Sequence, residues 1–224
     1  MHVSLVGSEM CIRDSVSGID ISVPMIGRAK NLANDEKILN ASFLVQDIQL
    51  EPLEADKYDA AFSRFGVMFF DEPKEAFINI HNSLKDNSPL SFVCWQSPKV
   101  NPWHGVASMV LKQHLDLPVP EKRAPSPFAF QEPDYIDDIL TTAGFKNIMI
   151  EPLALKILWF ADQSLDEAVF NFMSLNPVIA ESMKSVEAET KDKITNELSE
   201  AFKPFMTDKG LVFDSATWIV SANK

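Results

Sequence analysis

Short apolar runs, each closed by a polar residue, recur along the chain and alternate with stretches whose apolar positions repeat every three or four residues. Val16–Asp20 (Val-Ser-Gly-Ile-Asp) and Phe43–Asp47 (Phe-Leu-Val-Gln-Asp) are β-type runs, each ending in an aspartate where a strand would stop. Asp59–Phe70 follows with an acid, a short apolar strand, a polar break at Ser63-Arg64, a glycine and an aromatic run. Leu90–Trp95, Asn147–Glu151 and Thr217–Ala222 predict further strands. Between them, Ser22 caps a helix through Met25, Ile26, Ala29 and Leu32. Asp71 and Pro73 start a second helix with Ala76, Phe77, Ile80 and Leu84 on one face. Glu132-Pro133-Asp134 opens a third through Tyr135, Ile136, Ile139 and Leu140, which Gly144 ends. This alternation predicts an α/β fold: a doubly wound, mostly parallel sheet with helices on both faces. Two insertions interrupt it. Residues 97–132 are proline-rich with a helical stretch over Gly105–Leu115, and residues 162–208 are charged and helical over Leu165–Phe205.

At 224 residues the chain suits one α/β domain with insertions. The net charge of −12 and pI near 4.7 argue against general nucleic-acid binding, which needs a basic surface to neutralise phosphates. Cys11 and Cys94 cannot build a disulfide framework, and Cys94 lies inside the apolar run Leu90–Trp95. No stretch reaches the roughly 20 apolar residues of a membrane span, and the N-terminus lacks the features of a signal peptide. These features predict a cytoplasmic protein with neither nucleic acid nor membrane as partner; they leave the oligomeric state open. The four histidines are scattered without metal-ligand spacing, so no metal is expected, and neither a G-x-S-x-G elbow nor a P-loop occurs.

In open α/β sheets small molecules bind at the carboxyl edge of the strands. Three strand ends here deliver polar residues in order: Asp20, Asp47, then Ser63-Arg64. This succession resembles the cofactor half of the class I S-adenosylmethionine-dependent methyltransferases. The resemblance runs from Val16 to the end of the chain, including a closing strand at Ala216–Ala222. It implies a Rossmann-like fold with S-adenosyl-L-methionine as cofactor and a small-molecule methyl acceptor. Asp20 then stands where the family acid accepts from both ribose hydroxyls, and Asp47 where an acid accepts from the adenine amino group. Ile21 and Ile48 would cover the ring faces. Ser63, Arg64 and Phe65 match the position beneath the amino-acid tail and sulfonium.

Trp95, Gln96, Asn101, Trp103 and His104, at the start of the first insertion, are candidate walls of the acceptor pocket, with His104 the histidine best placed to act as a base. Core packing is the stronger reading of Phe69 and Phe70, and His81 reads as a helix-surface residue. An aspartate after a strand is also a common turn former or helix cap, and Arg64 also reads as a surface charge. A sulfonium is an activated methyl donor, so positioning and exclusion of water suffice and no catalytic residue is assigned. Two alternatives stand beside this reading. One is a non-catalytic binding protein of the same fold. The other is a nicotinamide-dependent oxidoreductase, which Asp47 and the absence of a Tyr-x-x-x-Lys pair disfavour.

The segment Val3–Ser15 resembles a translated sequencing adapter. Members of the family carry a G-x-G-x-G loop after the first strand, immediately upstream of the segment that Val16 begins. Gly7 and Gly18 form no such motif. Only nine residues separate Val6 from Val16, fewer than the roughly 10 to 12 of a strand-helix-strand crossover. The expectation is an artefactual leader at 1–15, followed by a methyltransferase domain at 16–224 that lacks its native first strand, cofactor loop and helix. Such a fragment would itself be impaired.

Overall fold

A computed structural model describes residues 15–117, 121–175 and 177–224. Apart from Ser15, the adapter-like leader lies outside the described residues, as does Cys11.

The first unit is a parallel pair, β1 (Val16–Asp20) and β2 (Ala41–Val45), joined by helix α1 (Val23–Asp35). Ser22 caps α1 as expected, its hydroxyl accepting from the Met25 backbone N–H at 3.4 Å. The helix buries Ile26, Ala29 and Ala33 against Phe43 of β2. Gly18 pairs with Phe43 in register, and a Cβ there would stand 2.7 Å from the Phe43 ring, so only glycine lets the ring lie flat across β1.

The second sheet runs β3 (Ala61–Arg64), β4 (Pro89–Trp95), β7 (Gly210–Asn223), β5 (Lys146–Trp159), with the short β6 (Met206–Thr207) also on β7. β3 and β4 are parallel, while β7 is antiparallel to β4, β5 and β6. Helices α2 (Pro73–Ser83) and α4 (Pro133–Thr142) cover one face. Phe77, Leu84, Ile136, Ile139 and Leu140 pack there against Leu90, Phe92, Cys94, Val220 and Ala222. Burial pushes the Cys94 thiol up to about 12, which makes it a small core residue rather than a nucleophile.

The insertions form a second core. Helix α3 (Pro102–Leu111) comes from the first; α5 (Leu165–Leu175), α6 (Pro177–Lys184) and α7 (Ala188–Phe202) come from the second. Trp103, Leu111, Ile194, Leu198 and Phe202 pack on Leu211 and Phe213 of β7.

Two strands exceed their sequence expectation. β5 was expected to stop at Glu151, before Pro152, yet it continues to Trp159 as the edge strand of the sheet. An edge strand has one side free of ladder bonds, so a residue without an N–H is tolerated there. β7 begins at Gly210 rather than Thr217 because its first half pairs with that extension. The expected 97–132 helix starts earlier, at Pro102, where proline suits the first helical turn. His81 is no simple surface residue: its ring meets Phe145 edge-on at 5.1 Å between centroids. Phe70 packs edge-on against Phe77, whereas Phe69 stays about half exposed.

Candidate functional site

Asp20 and Asp47 lie at the carboxyl ends of adjacent parallel strands, where the ladder is extended by a bond from the Gln46 N–H to the Asp20 carbonyl at 3.2 Å. The Asp20 side chain is exposed, and its Oδ1 accepts from the Ser22 N–H at 2.8 Å. That bond fixes the carboxylate over the entrance to α1 while leaving acceptor capacity, since a carboxylate takes about four hydrogen bonds. Asp47 is half-buried, and its Oδ1 accepts from both the backbone N–H (2.9 Å) and the side-chain amide (3.1 Å) of Gln49. Gln49 in turn accepts from the Glu72 N–H at 2.7 Å, tying this loop to the start of α2.

The two isoleucines differ. Ile21 is 67% exposed and stands free beside Asp20. Ile48 packs against the α2 side of the main core, and its carbonyl accepts from Asn79 at 2.7 Å.

Ser63 and Arg64 end β3, with Ser63 directed to the half-buried side and Arg64 to the exposed side. Phe65 follows at φ +57°, an uncommon conformation for a bulky residue. Its N–H still bonds the Val93 carbonyl at 3.0 Å, and its ring stacks on Trp95 at 4.3 Å and 16°. The left-handed turn therefore lays Phe65 across the end of β4. Gly66 permits the close approach that follows, since a Cβ there would lie 3.0 Å from the Ser63 hydroxyl oxygen.

The expected acceptor-pocket residues separate into two kinds. Trp95, Trp103 and His104 belong to a continuous aromatic wall: Trp95 to Trp103 at 5.0 Å, Trp103 to Phe128 at 5.5 Å and to Trp159 at 5.1 Å, and His104 to Phe128 at 4.7 Å. Phe128 and Trp159 were not singled out from the sequence. Trp159 joins the wall only because β5 extends past Pro152, and no local pattern signals that.

Gln96 and Asn101 hold the scaffold instead. Gln96 donates its side-chain amide to the Thr217 carbonyl at 2.9 Å. Asn101 is fully buried: its amide donates to the carbonyls of Gln96, Ser97 and Ala216, and its Oδ1 accepts from the Ala216 N–H (3.0 Å) and the Trp103 indole (3.2 Å). Asn101 thus spends its hydrogen-bonding capacity within the chain and positions Trp103. Replacing it with alanine strands the Ala216 N–H and the Trp103 indole, each a buried donor. Asn101→Ala is expected to cost roughly 2 to 3 kcal/mol in chemical denaturation. The tryptophan fluorescence should shift as Trp103 loses its anchor.

His104 is half-buried, with its Nε2 3.3 Å from the Ser108 hydroxyl. Burial first, and the charge of Lys112 second, hold its imidazole below the ordinary histidine range, so it is neutral at pH 7 and able to accept a proton. Because the folded chain binds fewer protons here than the unfolded chain, this stability is present above pH about 6.5 and lost as the pH falls below it. His104→Phe should flatten the loss of thermal stability between pH 7.5 and 5.5 relative to the parent. An unchanged slope would place the acid sensitivity elsewhere.

Comparison with known proteins gives the class of this architecture. The chain superposes over 94% of its length on the YcgJ protein of Bacillus subtilis, with TM-score 0.56, 14% identity and 82% of that chain covered. Phosphoethanolamine N-methyltransferase 2 of Haemonchus contortus, solved with phosphomonomethylethanolamine and S-adenosylhomocysteine, superposes with TM-score 0.51 and 16% identity, and 44% of its length is covered. The [4+2]-cyclase SpnF superposes with TM-score 0.53 and 16% identity over 67% of its length. The fold is the Rossmann-like α/β fold of the class I methyltransferases. A family model described as a methyltransferase domain matches residues 4–92, less than half of the chain. None of the curated proteins compared with the chain is a significant match.

Proposed function

We propose that the protein is an S-adenosylmethionine-dependent methyltransferase acting on a small molecule. The observation that carries this reading is the pair of carboxylates at the ends of adjacent parallel strands, Asp20 and Asp47, with Ser63-Arg64-Phe65 at the carboxyl end of β3. The residues present fit the cofactor's chemistry. Asp20 is exposed and oriented by a single backbone N–H, which suits acceptance from a vicinal diol. Asp47 has one oxygen engaged by Gln49, and its second oxygen can serve a single amino group. Ile21 supplies a free apolar side chain for an adenine face.

S-adenosylmethionine brings a methyl group already activated on a positively charged sulfur. The chain's own residues then bind, orient and exclude water. The Phe65–Trp95 stack and the Trp103, Phe128 and Trp159 rings give the acceptor side a dry, aromatic lining. His104, neutral within that lining, supplies a proton acceptor where the methyl acceptor carries an ionisable hydrogen.

A second reading draws on the same geometry: SpnF shares the fold and is a cyclase, so fold alone does not fix the reaction. The test is calorimetric titration of the chain with S-adenosylmethionine, S-adenosylhomocysteine and NADH. Binding of the two sulfur ligands with no heat from NADH supports the proposal. The reverse pattern supports an oxidoreductase.

A further inference from the structure

The rings around Trp103 divide by how their polar atoms are used. Trp103 itself is buried with its indole N–H donating to Asn101, and Trp218 donates its own to the Gln131 carbonyl at 3.0 Å. A tryptophan buried for packing alone places its N–H on an acceptor in this way. Trp95, Trp159 and His104 are half-buried and all touch Trp103, with ring centroids 5.0, 5.1 and 5.9 Å away. Their polar atoms are not all used. Among the described residues neither the Trp95 nor the Trp159 indole N–H has a hydrogen-bond partner, and His104 turns Nε2 to Ser108 while Nδ1 has none. No enclosed side-chain nitrogen or oxygen among those residues lacks a partner, so these three atoms are not sealed in the core. Two donors and one imidazole nitrogen therefore stay open on rings that pack about a single tryptophan.

Ring geometry sets the shape of what would fit. Phe128 and Trp159 lie 23° and 30° from the plane of Trp103, and Phe65 lies 16° from that of Trp95. Rings set this close to parallel gain most from another flat ring in offset contact. Charge narrows the choice further. Bare aromatic faces attract cations, yet the positive charge of Lys112 acts on His104 and opposes an ammonium group beside it. An uncharged ring avoids that repulsion. In the tautomer whose Nε2–H donates to Ser108, Nδ1 is an acceptor for an O–H, while the two indoles offer only N–H donors.

We propose that this cluster takes a flat, uncharged hydroxyarene bearing a second oxygen: the hydroxyl donates to His104 Nδ1, and the second oxygen accepts from the indole N–H of Trp95 or Trp159. This names the chemical class of the methyl acceptor. It rests on the methyltransferase reading for that role, whereas binding of the arene is measured without cofactor.

The test is equilibrium dialysis of the chain against 6-methoxy-2-naphthol, its dimethoxy counterpart, its decahydro analogue and choline. The naphthol should bind about 10-fold or more tightly than the decahydro analogue, which has the same oxygens without the flat rings, and than choline. It should bind about 3- to 10-fold more tightly than the dimethoxy compound, which has no O–H to donate. His104→Phe should abolish that last difference. A second readout needs no variant to fold: in the nitrogen-15-labelled chain the naphthol should move the indole N–H resonances of Trp95 and Trp159 more than that of Trp218, whose N–H is already bonded. Unmoved Trp95 and Trp159 resonances at saturation overturn the proposal. Tighter binding of choline overturns it in favour of a cation cage, and equal binding of the decahydro analogue reduces the cluster to a general apolar surface. Arene selectivity in a chain that binds no S-adenosylhomocysteine upholds this site while the methyltransferase reading fails. Binding of the sulfur ligand without arene selectivity overturns the site alone.

Discussion

Replacing Asp20 and Asp47 together with alanine is expected to weaken S-adenosylmethionine binding by roughly two to four orders of magnitude. On the proposed reading these carboxylates serve the ribose and the adenine from the ends of β1 and β2. Hydrogen bonds to a charged group contribute about 1.5 to 3 kcal/mol each, so two of them correspond to roughly two to four decades in affinity. Calorimetry on the parent and the double variant measures the difference directly. Parent-like affinity in a double variant that folds normally would mean that the cofactor is held elsewhere.

The strands and helices of the first half were readable from sequence because their signals are local. Each acid terminates an apolar run, and a strand end is where a polar residue escapes the sheet's buried faces. The cap at Ser22, the helix start at Pro73 and the stop at Gly144 followed from chemistry within a few residues of each position. The aromatic wall was less legible because it is built from contacts distant in sequence. Asn101 was expected as a pocket wall, yet it bonds Ala216 across 115 positions. Trp159 joins the aromatic wall only through the β5–β7 extension, and Pro152 disguises that strand as a turn. Ile48, expected to cover an adenine face, sits in a loop that Asn79 and Gln49 tie to α2, a contact distant in sequence.

On the proposed reading, Asp20→Ala alone should weaken cofactor binding by about 2 to 4 kcal/mol, since a charged acceptor to two hydroxyls is lost together with their desolvation partner. The structure adds a second consequence, because the same carboxylate accepts from the Ser22 N–H and so shapes the entrance to α1. Alanine removes both roles. Asparagine separates them: its amide oxygen can still accept from Ser22, while its nitrogen cannot accept from a hydroxyl and its charge is gone. Asp20→Asn should therefore keep the parent's Tm to within about 2 °C and still lose about 1 to 2 kcal/mol of affinity. Asp47→Ala should cost nearer 1 to 2 kcal/mol in affinity, since one bond is lost at an edge where water substitutes in part. Its Oδ1 also holds Gln49, so the loop leading to α2 should loosen as well, detectable as faster hydrogen exchange at Gln49 and Glu72. None of these groups is placed at the transferring methyl, so single-turnover rates at saturating cofactor should stay near the parent's. If Asp20→Asn folds like the parent and binds S-adenosylmethionine equally well, the carboxylate serves the turn at Ser22 alone, and the assignment of this edge to the ribose fails.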